Sequence, residues 1–560
     1  MFAKMSQCDK YNALFVALIV FCAIAIVWDS SAPLMSGDDI MFYADLKNGE
    51  FVRIGWTWRE IGRFVPLIAW DFNLISLFTT NPYAFMFIHA FYFIIVAVCF
   101  YKLTHRFSSS ARVVLFAIFT FSVGAVKSYT QLPYSETLQM TFIMLFFALT
   151  RALFSANPHT NLAMNLNSAN LKRGGAEWDY KIAIIFAIAL ICANIALYLK
   201  EVSFVIIGGF GFFYLALSLI AERKQKRKIP RIIAIFCALL MLSSLVFLSA
   251  YFYFTLGASG KYGEFGVFSS IRTAVVAILG TPLVSIALPI MIAIRIYRAV
   301  KGDKIHPFYD SLGLCALFYF MAFLVLGMGS FHYFVVPNLL SAIYGAFFIN
   351  RHFDLMKCFW IRAVCVIIAL IFATSCLPQS IHYYTLNKIQ NKNLNDGFAF
   401  LGAYISANRG KTTIYFDGFC RGIDRCYNSW SYPAVFSILP KLHGVRNFDI
   451  KSAEPNGKIF SIDSHSNLSF FNSESVEVPQ SGDLIVLFYM SDKFMNKSYI
   501  DSLKARYTLI FETQNRGYFP NYNAMSLGAW LLKKYGINHA LNNMGNIFKI
   551  PKQFYVFRVR

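Results

Sequence analysis

The chain has 560 residues, 57% hydrophobic and 14% charged, with a mean hydropathy of +0.52, which excludes the soluble, disordered and fibrous classes and marks an integral membrane protein. Fifty-one Lys and Arg against 29 Asp and Glu leave a formal net charge of +22, which in a soluble chain would indicate nucleic acid. Here the charge falls between apolar runs, so no nucleic-acid partner is expected. A hydrocarbon core about 30 Å thick needs roughly 20 apolar residues per helix. Runs of that size predict about eleven spans, near Tyr11–Trp28, Pro82–Leu103, Arg112–Val126, Thr137–Phe154, Lys181–Leu199, Val202–Ala221, Ile232–Leu256, Arg272–Ile294, Phe308–Met328, Phe334–Asn350 and Trp360–Leu377. The third and tenth are short for a full crossing.

Short loops rich in Lys and Arg stay on the cytoplasmic side. Over residues 1–378, 22 Lys and Arg fall in the N-terminal tail and alternate loops, against 8 on the other side. The densest stretch, Glu222-Arg223-Lys224-Gln225-Lys226-Arg227-Lys228, fixes one inside loop. An odd number of spans starting inside then puts the C-terminus outside. Lys4 and Lys10 border the first span and Pro33 follows it, the pattern of a retained signal anchor rather than a cleaved signal peptide. With no eukaryotic retention signal, the expected location is a bacterial inner (cytoplasmic) membrane, with the N-terminus cytoplasmic and the C-terminal domain periplasmic. The Asn/Ser-rich inside loop Ser155–Ala176 reads as a flexible connection.

After about Ser380, Gly418, Gly422, Pro433, Gly444, Pro455 and Gly457 punctuate short alternating runs such as Thr412–Phe416 and Asp483–Tyr489. Those runs predict strands. The chain therefore divides into a transmembrane domain, residues 1–380, and a soluble periplasmic domain, residues 381–560, long enough for its own core. The second part carries 21 Lys and Arg against 12 Asp and Glu, a balance suited to anionic lipid or glycan. Cys420 and Cys426 lie six apart in it. A disulfide between them needs an oxidising compartment, in agreement with the outside placement; the alternative is a pair of reduced thiols.

The longest outside loop, residues 29–81, opens with Ser36-Gly37-Asp38-Asp39-Ile40-Met41-Phe42-Tyr43. Asp38 and Asp39 read as a carboxylate pair at the membrane surface, or as a solvated turn. The segment Phe51–Phe78 mixes aromatic residues with Arg53, Arg59, Glu60, Arg63 and Asp71, as an interfacial helix would. Arg59 and Arg63, four apart, would share one face of it, either to grip a phosphate or to snorkel to head groups. Three further clusters fall on the same side: Lys127 to Leu138 with Tyr134 and Glu136, the tight Leu199-Lys200-Glu201-Val202 connection, and Phe331-His332-Tyr333-Phe334-Val335-Val336-Pro337. Charge at membrane depth costs about 2.5–3.5 kcal/mol per group and marks functional candidates. Lys200 and Glu201 could also simply neutralise each other, and His332 could be an interfacial ring.

Together these positions resemble the C-type glycosyltransferases (GT-C fold), polytopic enzymes that take a sugar from a polyprenyl-phosphate carrier. The resemblance covers residues 1 to about 380 and rests on Ser36-Gly37-Asp38-Asp39 with Tyr43, on Tyr134-Ser135-Glu136-Thr137-Leu138, on Leu199-Lys200-Glu201 and on His332-Tyr333-Phe334-Val335-Val336-Pro337. It implies an acidic residue acting as general base, Asp38 first and Asp39 second, and a basic residue near Lys200 on the donor phosphate. The Trp-Trp-Asp signature of oligosaccharyltransferases is absent, which argues against en bloc transfer to asparagine.

The expected fold is thus a GT-C-like helical membrane domain followed by an α/β extracytoplasmic domain. The expected function is an inverting glycosyltransferase with a polyprenyl-phosphate sugar donor and a cell-envelope glycan or lipid acceptor, such as lipopolysaccharide. Asp38 and Asp39 would be catalytic; Lys200, Arg59, Arg63 and Lys127 would bind donor phosphate; Tyr43, Glu136, Glu201, His332 and Tyr333 would support them. No cofactor is required, although a divalent metal at Asp38 and Asp39 with Glu136 or His332 is compatible with that donor set. The alternatives are an O-antigen polymerase or ligase, or a lipid-linked glycan transporter.

Overall fold

The computed structural model describes residues 6–31, 39–52, 57–58, 62–132, 134–156, 175–225, 229–257 and 266–408; beyond these it describes residues 410–416, 438–453, 459–462, 473–475, 479–488, 497–514, 553–560 and scattered positions from 517 to 531. Among the described residues ten helices are long and apolar enough to cross a membrane, or eleven when one bent pair counts as a single span. In chain order the first half comprises α1 (Gln7–Val27), α2 (Asp39–Lys47), β1 (Thr57–Trp58), β2 (Arg63–Phe64), α3 (Trp70–Ser76), α4 (Pro82–Thr104), α5 (Ser109–Thr120), α6 (Val123–Thr130), α7 (Glu136–Ala156), α8 (Gly175–Leu199), α9 (Ser203–Gln225) and α10 (Arg231–Thr255). Then come α11 (Val267–Gly280), α12 (Leu288–Val300), α13 (Pro307–Val325), α14 (Val335–Arg351), α15 (Phe359–Ile371) and α16 (Leu377–Ala407). Caps set several starts: Ser6 accepts from Asp9 N at 3.2 Å, and Asn81 accepts from Tyr83 N at 3.0 Å ahead of Pro82.

The expected spans hold with three corrections. The third is α5 and α6, bent by 61°. Ser122 caps a new helix there, accepting from Ala125 N at 3.4 Å, while Ser380 donates to the Phe121 carbonyl left at the break at 2.7 Å. The eighth is not one helix over Arg272–Ile294: Thr281-Pro282 interrupts it, and the span-length stretch is Leu283–Val300. The eleventh does not stop at Leu377 but runs through Leu377–Ala407, so residue 380 falls inside a helix. Both late spans contain a π-helical turn, Leu283–Ala287 before Pro289 and Phe372–Cys376 before Pro378. A proline ring collides with the carbonyl four residues back in an ordinary helix, and the wider turn relieves that collision.

A fourth correction concerns Phe51–Phe78, which is not a continuous interfacial helix. Thr57 and Trp58 pair with Phe64 and Arg63 in an antiparallel hairpin, followed by the short α3. Gly62 in the connecting turn has φ +69°, which suits glycine.

The C-terminal part holds β3 (Thr412–Phe416), α17 (Ile438–His443), β4 (Phe448–Ala453), β5 (Ile459–Ile462), β6 (Ser473–Ser475), β7 (Leu484–Leu487), α18 (Lys497–Arg506), β8 (Thr508–Glu512) and β9 (Tyr555–Arg558). The sheet order is β6-β5-β4-β3-β7-β9-β8, with β3 parallel to β4 and β7 and the other pairs antiparallel. Alternation splits β3, β7 and β9 between two cores. Ile414, Leu484, Val486 and Val556 pack with Leu394, Phe398 and Leu401 of α16, while Tyr415, Ile485, Leu487 and Phe557 pack with Ile500 and Leu503 of α18. The two expected strands are β3 and β7. Cys420 and Cys426 lie outside the described residues.

The long α16 joins the two parts. Lys392 pairs with Asp29, Lys388 donates to Ser30 Oγ at 2.9 Å, and Tyr384 donates to the Ala25 carbonyl at 2.8 Å, fixing α16 to the end of α1. Further along, the Phe554 ring of the sheet domain occupies the space a side chain at Gly397 would fill.

Candidate active site

Lys200 directly follows α8 and Glu136 opens α7, and their side chains form an ion pair almost entirely withdrawn from solvent. A carboxylate in the first turn of a helix faces the positive end of its dipole. Arg63, on β2, forks onto the Glu201 carboxylate with Nε–Oε1 2.8 Å and Nη2–Oε2 3.2 Å. Lys200 and Glu201 therefore do not neutralise each other; each reaches a different element. The hairpin that carries Arg63 is seated by Phe64 against Tyr198, Phe247 and Phe254, and by Tyr251 donating to the Gly62 carbonyl at 3.0 Å. Beneath the pairs, Gln139 donates to Ser203 Oγ at 2.8 Å and to Tyr319 Oη at 3.2 Å.

A 3-10 turn, Phe331–Phe334, brings rings to the same place. The His332 ring lies 4.3 Å from that of Tyr134 and 4.0 Å from that of Tyr333, and Ser330 Oγ is 2.9 Å from His332 Nδ1. Lys127 Nζ sits 5.2 Å over the Tyr134 ring and Lys200 Nζ 4.8 Å over the Tyr333 ring, both in cation–π range. Two glycines let the turn come this close. A Cβ on Gly124 would meet the Phe331 carbonyl oxygen at 2.4 Å, and one on Gly280 would meet the Phe331 ring at 2.0 Å.

The structure thus brings together Arg63, Lys127, Glu136, Lys200, Glu201, His332 and Tyr333. Asp38 and Arg59 lie outside the described residues, as does the Asp39 side chain, although Asp39 opens α2. Arg63, expected on a helix face, lies instead on strand β2. Tyr43 stands apart from the cluster: it is buried and donates to the Thr80 carbonyl at 3.1 Å, anchoring α2 beside the start of α4. Among the described residues no three His, Cys, Asp or Glu are placed to hold a metal ion.

Sequence reasoning missed two groups. Asp71, read as one of several interfacial charges, accepts from Tyr92 Oη at 2.9 Å and lines a small cavity with Tyr134, Ser135, Thr137 and Leu199, the neighbours in sequence of Glu136 and Lys200. A carboxylate among the apolar residues of Trp70–Ser76 was the available signal. Lys441 of α17 pairs with Asp45 and with Glu50, Nζ–Oε2 3.0 Å, tying the sheet domain to α2. Nothing in the sequence connects residues so far apart.

No protein-family model matches the chain, and no curated protein sequence is similar to it. Its structural neighbours include the oligosaccharyltransferase of Archaeoglobus fulgidus in the apo form, with a TM-score of 0.41 and 14% identity over 77% of this chain. That alignment spans only 64% of the oligosaccharyltransferase chain. The same enzyme tethered with an acceptor peptide containing the NVT sequon aligns at a TM-score of 0.43 and 12% identity, covering 97% of this chain and 88% of that one. ArnT from Cupriavidus metallidurans bound to undecaprenyl phosphate aligns at 0.42 and 11%, covering 98% of each.

Proposed function

We propose that this chain is a glycosyltransferase of a bacterial inner membrane that moves a sugar from a polyprenyl-phosphate donor to a cell-envelope glycan or lipid acceptor on the periplasmic face. The observation that carries the reading is the meeting of Lys200, Arg63 and Lys127 with Glu136, Glu201 and His332 at the end of the bundle that bears the sheet domain.

Transfer with inversion needs the acceptor hydroxyl to lose its proton as it attacks, and the departing phosphate to be neutralised as charge develops on it. Lys200 and Arg63 supply cations already oriented by Glu136 and Glu201; such buried pairs add little stability and are costly to break, so their value lies in holding charge in place. A phosphate oxygen takes over part of each cation's coordination. Asp38, with Asp39 second, receives the acceptor proton from the loop that leads into α2. Arg59 and Lys127 add to the positive field, and Tyr333 and His332 wall the site.

Radiolabelled polyprenyl-phosphate sugar offered to the purified chain tests this. Transfer or slow hydrolysis is expected, and Asp38→Asn with Asp39→Asn abolishes it while donor binding stays near normal. Full activity in the double variant removes those acids from the mechanism; translocation of the donor without turnover replaces the enzyme with a transporter.

A further inference from the structure

A seam between α1 and α4, at the end of the bundle that bears the sheet domain, encloses about 940 Å³, within the size range of small-molecule sites. Ala23 of α1 and Ala90 of α4 both line it, and two methyl groups leave a gap where larger side chains would interlock. From Tyr83 to Ile94 the seam follows α4 for about 16 Å, the depth of one leaflet of a hydrocarbon core about 30 Å thick. Trp28, Phe87 and Phe91 along it are more than half exposed, so its side is open to acyl chains. Trp28 and Tyr83 stand at its polar end, the ring types that settle where hydrocarbon meets head groups.

That end is also charged. Asp29 lines the seam, and its backbone has φ +56°, a left-handed conformation that residues with a Cβ seldom adopt and that the surroundings have to enforce. Its carboxylate is 38% exposed and pairs with the Lys392 ammonium, itself 27% exposed. Each therefore keeps a side open to a further partner. Lys388, four residues before Lys392 and on the same face of α16, donates to the Ile26 carbonyl at 3.2 Å and to Ser30 Oγ at 2.9 Å. Both acceptors are neutral, and an ammonium has three N–H donors. The polar end of the seam thus presents a carboxylate on the seam itself and two ammonium groups next to it on α16. A head group of both signs matches that order, whereas a plain anion meets Asp29 first.

We propose that the seam between α1 and α4 seats one phospholipid with a primary ammonium head group, of the phosphatidylethanolamine class. An acyl chain lies along Ala23, Ala90 and Ile94, the phosphate accepts from Lys392, and the head-group ammonium donates to Asp29. A choline head carries the same charges but has no N–H for the carboxylate, and a glycerol head brings a phosphate with no cation for Asp29. The bound lipid bridges α1, α4 and α16, the helix that leads into the sheet domain, through residues outside the cluster around Lys200.

Native mass spectrometry of the full-length chain, released from nanodiscs of equal parts phosphatidylethanolamine, phosphatidylcholine and phosphatidylglycerol, tests the assignment. One phosphatidylethanolamine should be retained about tenfold over either competitor, the discrimination that one charge-assisted contact supplies. Asp29→Asn should erase the preference over phosphatidylcholine. Ala23→Phe fills the seam while leaving the Asp29–Lys392 pair in place, and should lower phosphatidylethanolamine retention to that of phosphatidylcholine; it answers the question even if Asp29→Asn does not fold. Equal retention of the three lipids by the wild type reduces the seam to ordinary boundary lipid and overturns the proposal. Stronger retention of phosphatidylglycerol, or of polyprenyl phosphate added to the same discs, makes the site one for a plain anionic head and overturns it too. So does an undiminished preference for phosphatidylethanolamine in either variant.

Discussion

Arg63 and Glu201, 138 residues apart, meet as a fork on a carboxylate at 2.8 and 3.2 Å, and this contact fixes the hairpin of the first loop to the turn between α8 and α9. The two side chains are 14% and 16% exposed, so removing one leaves the other largely out of water. Arg63→Gln should cost about 2 kcal/mol of stability, less than the roughly 3–5 kcal/mol for breaking a fully buried pair because the site is partly wet. Thermal unfolding in detergent measures it. The exchanged pair Arg63→Glu with Glu201→Arg should recover most of the stability yet leave the donor KM raised, because the cation has moved off the hairpin. Recovery of both would mean that Arg63 has only a structural role.

Lys200 and Glu136 should respond with opposite signs. Lys200→Met removes the cation that meets the leaving phosphate and should lower kcat/KM about 100-fold, roughly the value of one preorganised electrostatic contact. Glu136→Gln keeps the cation and removes its competitor, so donor KM should fall even as kcat drops. Donor titrations of both variants decide this; equal KM shifts would separate Lys200 from the phosphate.

The spans were legible because a bilayer imposes one length on every helix, and β3 and β7 were legible from alternation. The short connection at Lys200 and Glu201 was legible as a charged cluster, but its pairing was not. Sequence places the two charges side by side, whereas consecutive residues at a helix end point apart and find Glu136 and Arg63. The hairpin at residues 57–64 was misread as helix because aromatic residues at mixed spacing fit either period. Asp71 was visible as a charge but not as a partner of Tyr92, since that contact is set by how α3 packs on α4.

Gly280→Ala tests how the His332 turn is held. Its new Cβ would fall 2.0 Å from a ring carbon of Phe331, a residue 8% exposed whose backbone carbonyl already lies against Gly124. The ring or the turn must shift, at a cost of about 1–3 kcal/mol for overpacking. Transfer should fall about tenfold as His332 and Tyr333 move with it. Adding Phe331→Leu should restore part of both stability and turnover; a stable, fully active Gly280→Ala would show that the turn position does not matter.

Lys441 makes the last prediction, which concerns pH. The Glu50 carboxyl is held below its ordinary range by the Lys441 and Asn48 hydrogen bonds. Burial alone would lower the Lys441 pKa, but Asp45 and Glu50 outweigh it and raise it. A depressed carboxylate contributes above its unfolded value, about 4.3, and its contribution is lost as pH falls through the lower folded value. A raised lysine contributes below about 10.4 and is lost as pH rises past its folded value. The bridge from α17 to α2 should therefore hold constant from about pH 5 to 10 and fail outside that window. Hydrogen exchange across residues 42–50, corrected for intrinsic rates, should stay equally protected through the window in the wild type. Lys441→Met should raise exchange there about tenfold throughout that window and lower transfer, since α2 begins at Asp39. Unchanged protection in that variant would mean that Tyr43 and the packing of α2 on α3 suffice to hold the helix without the sheet domain.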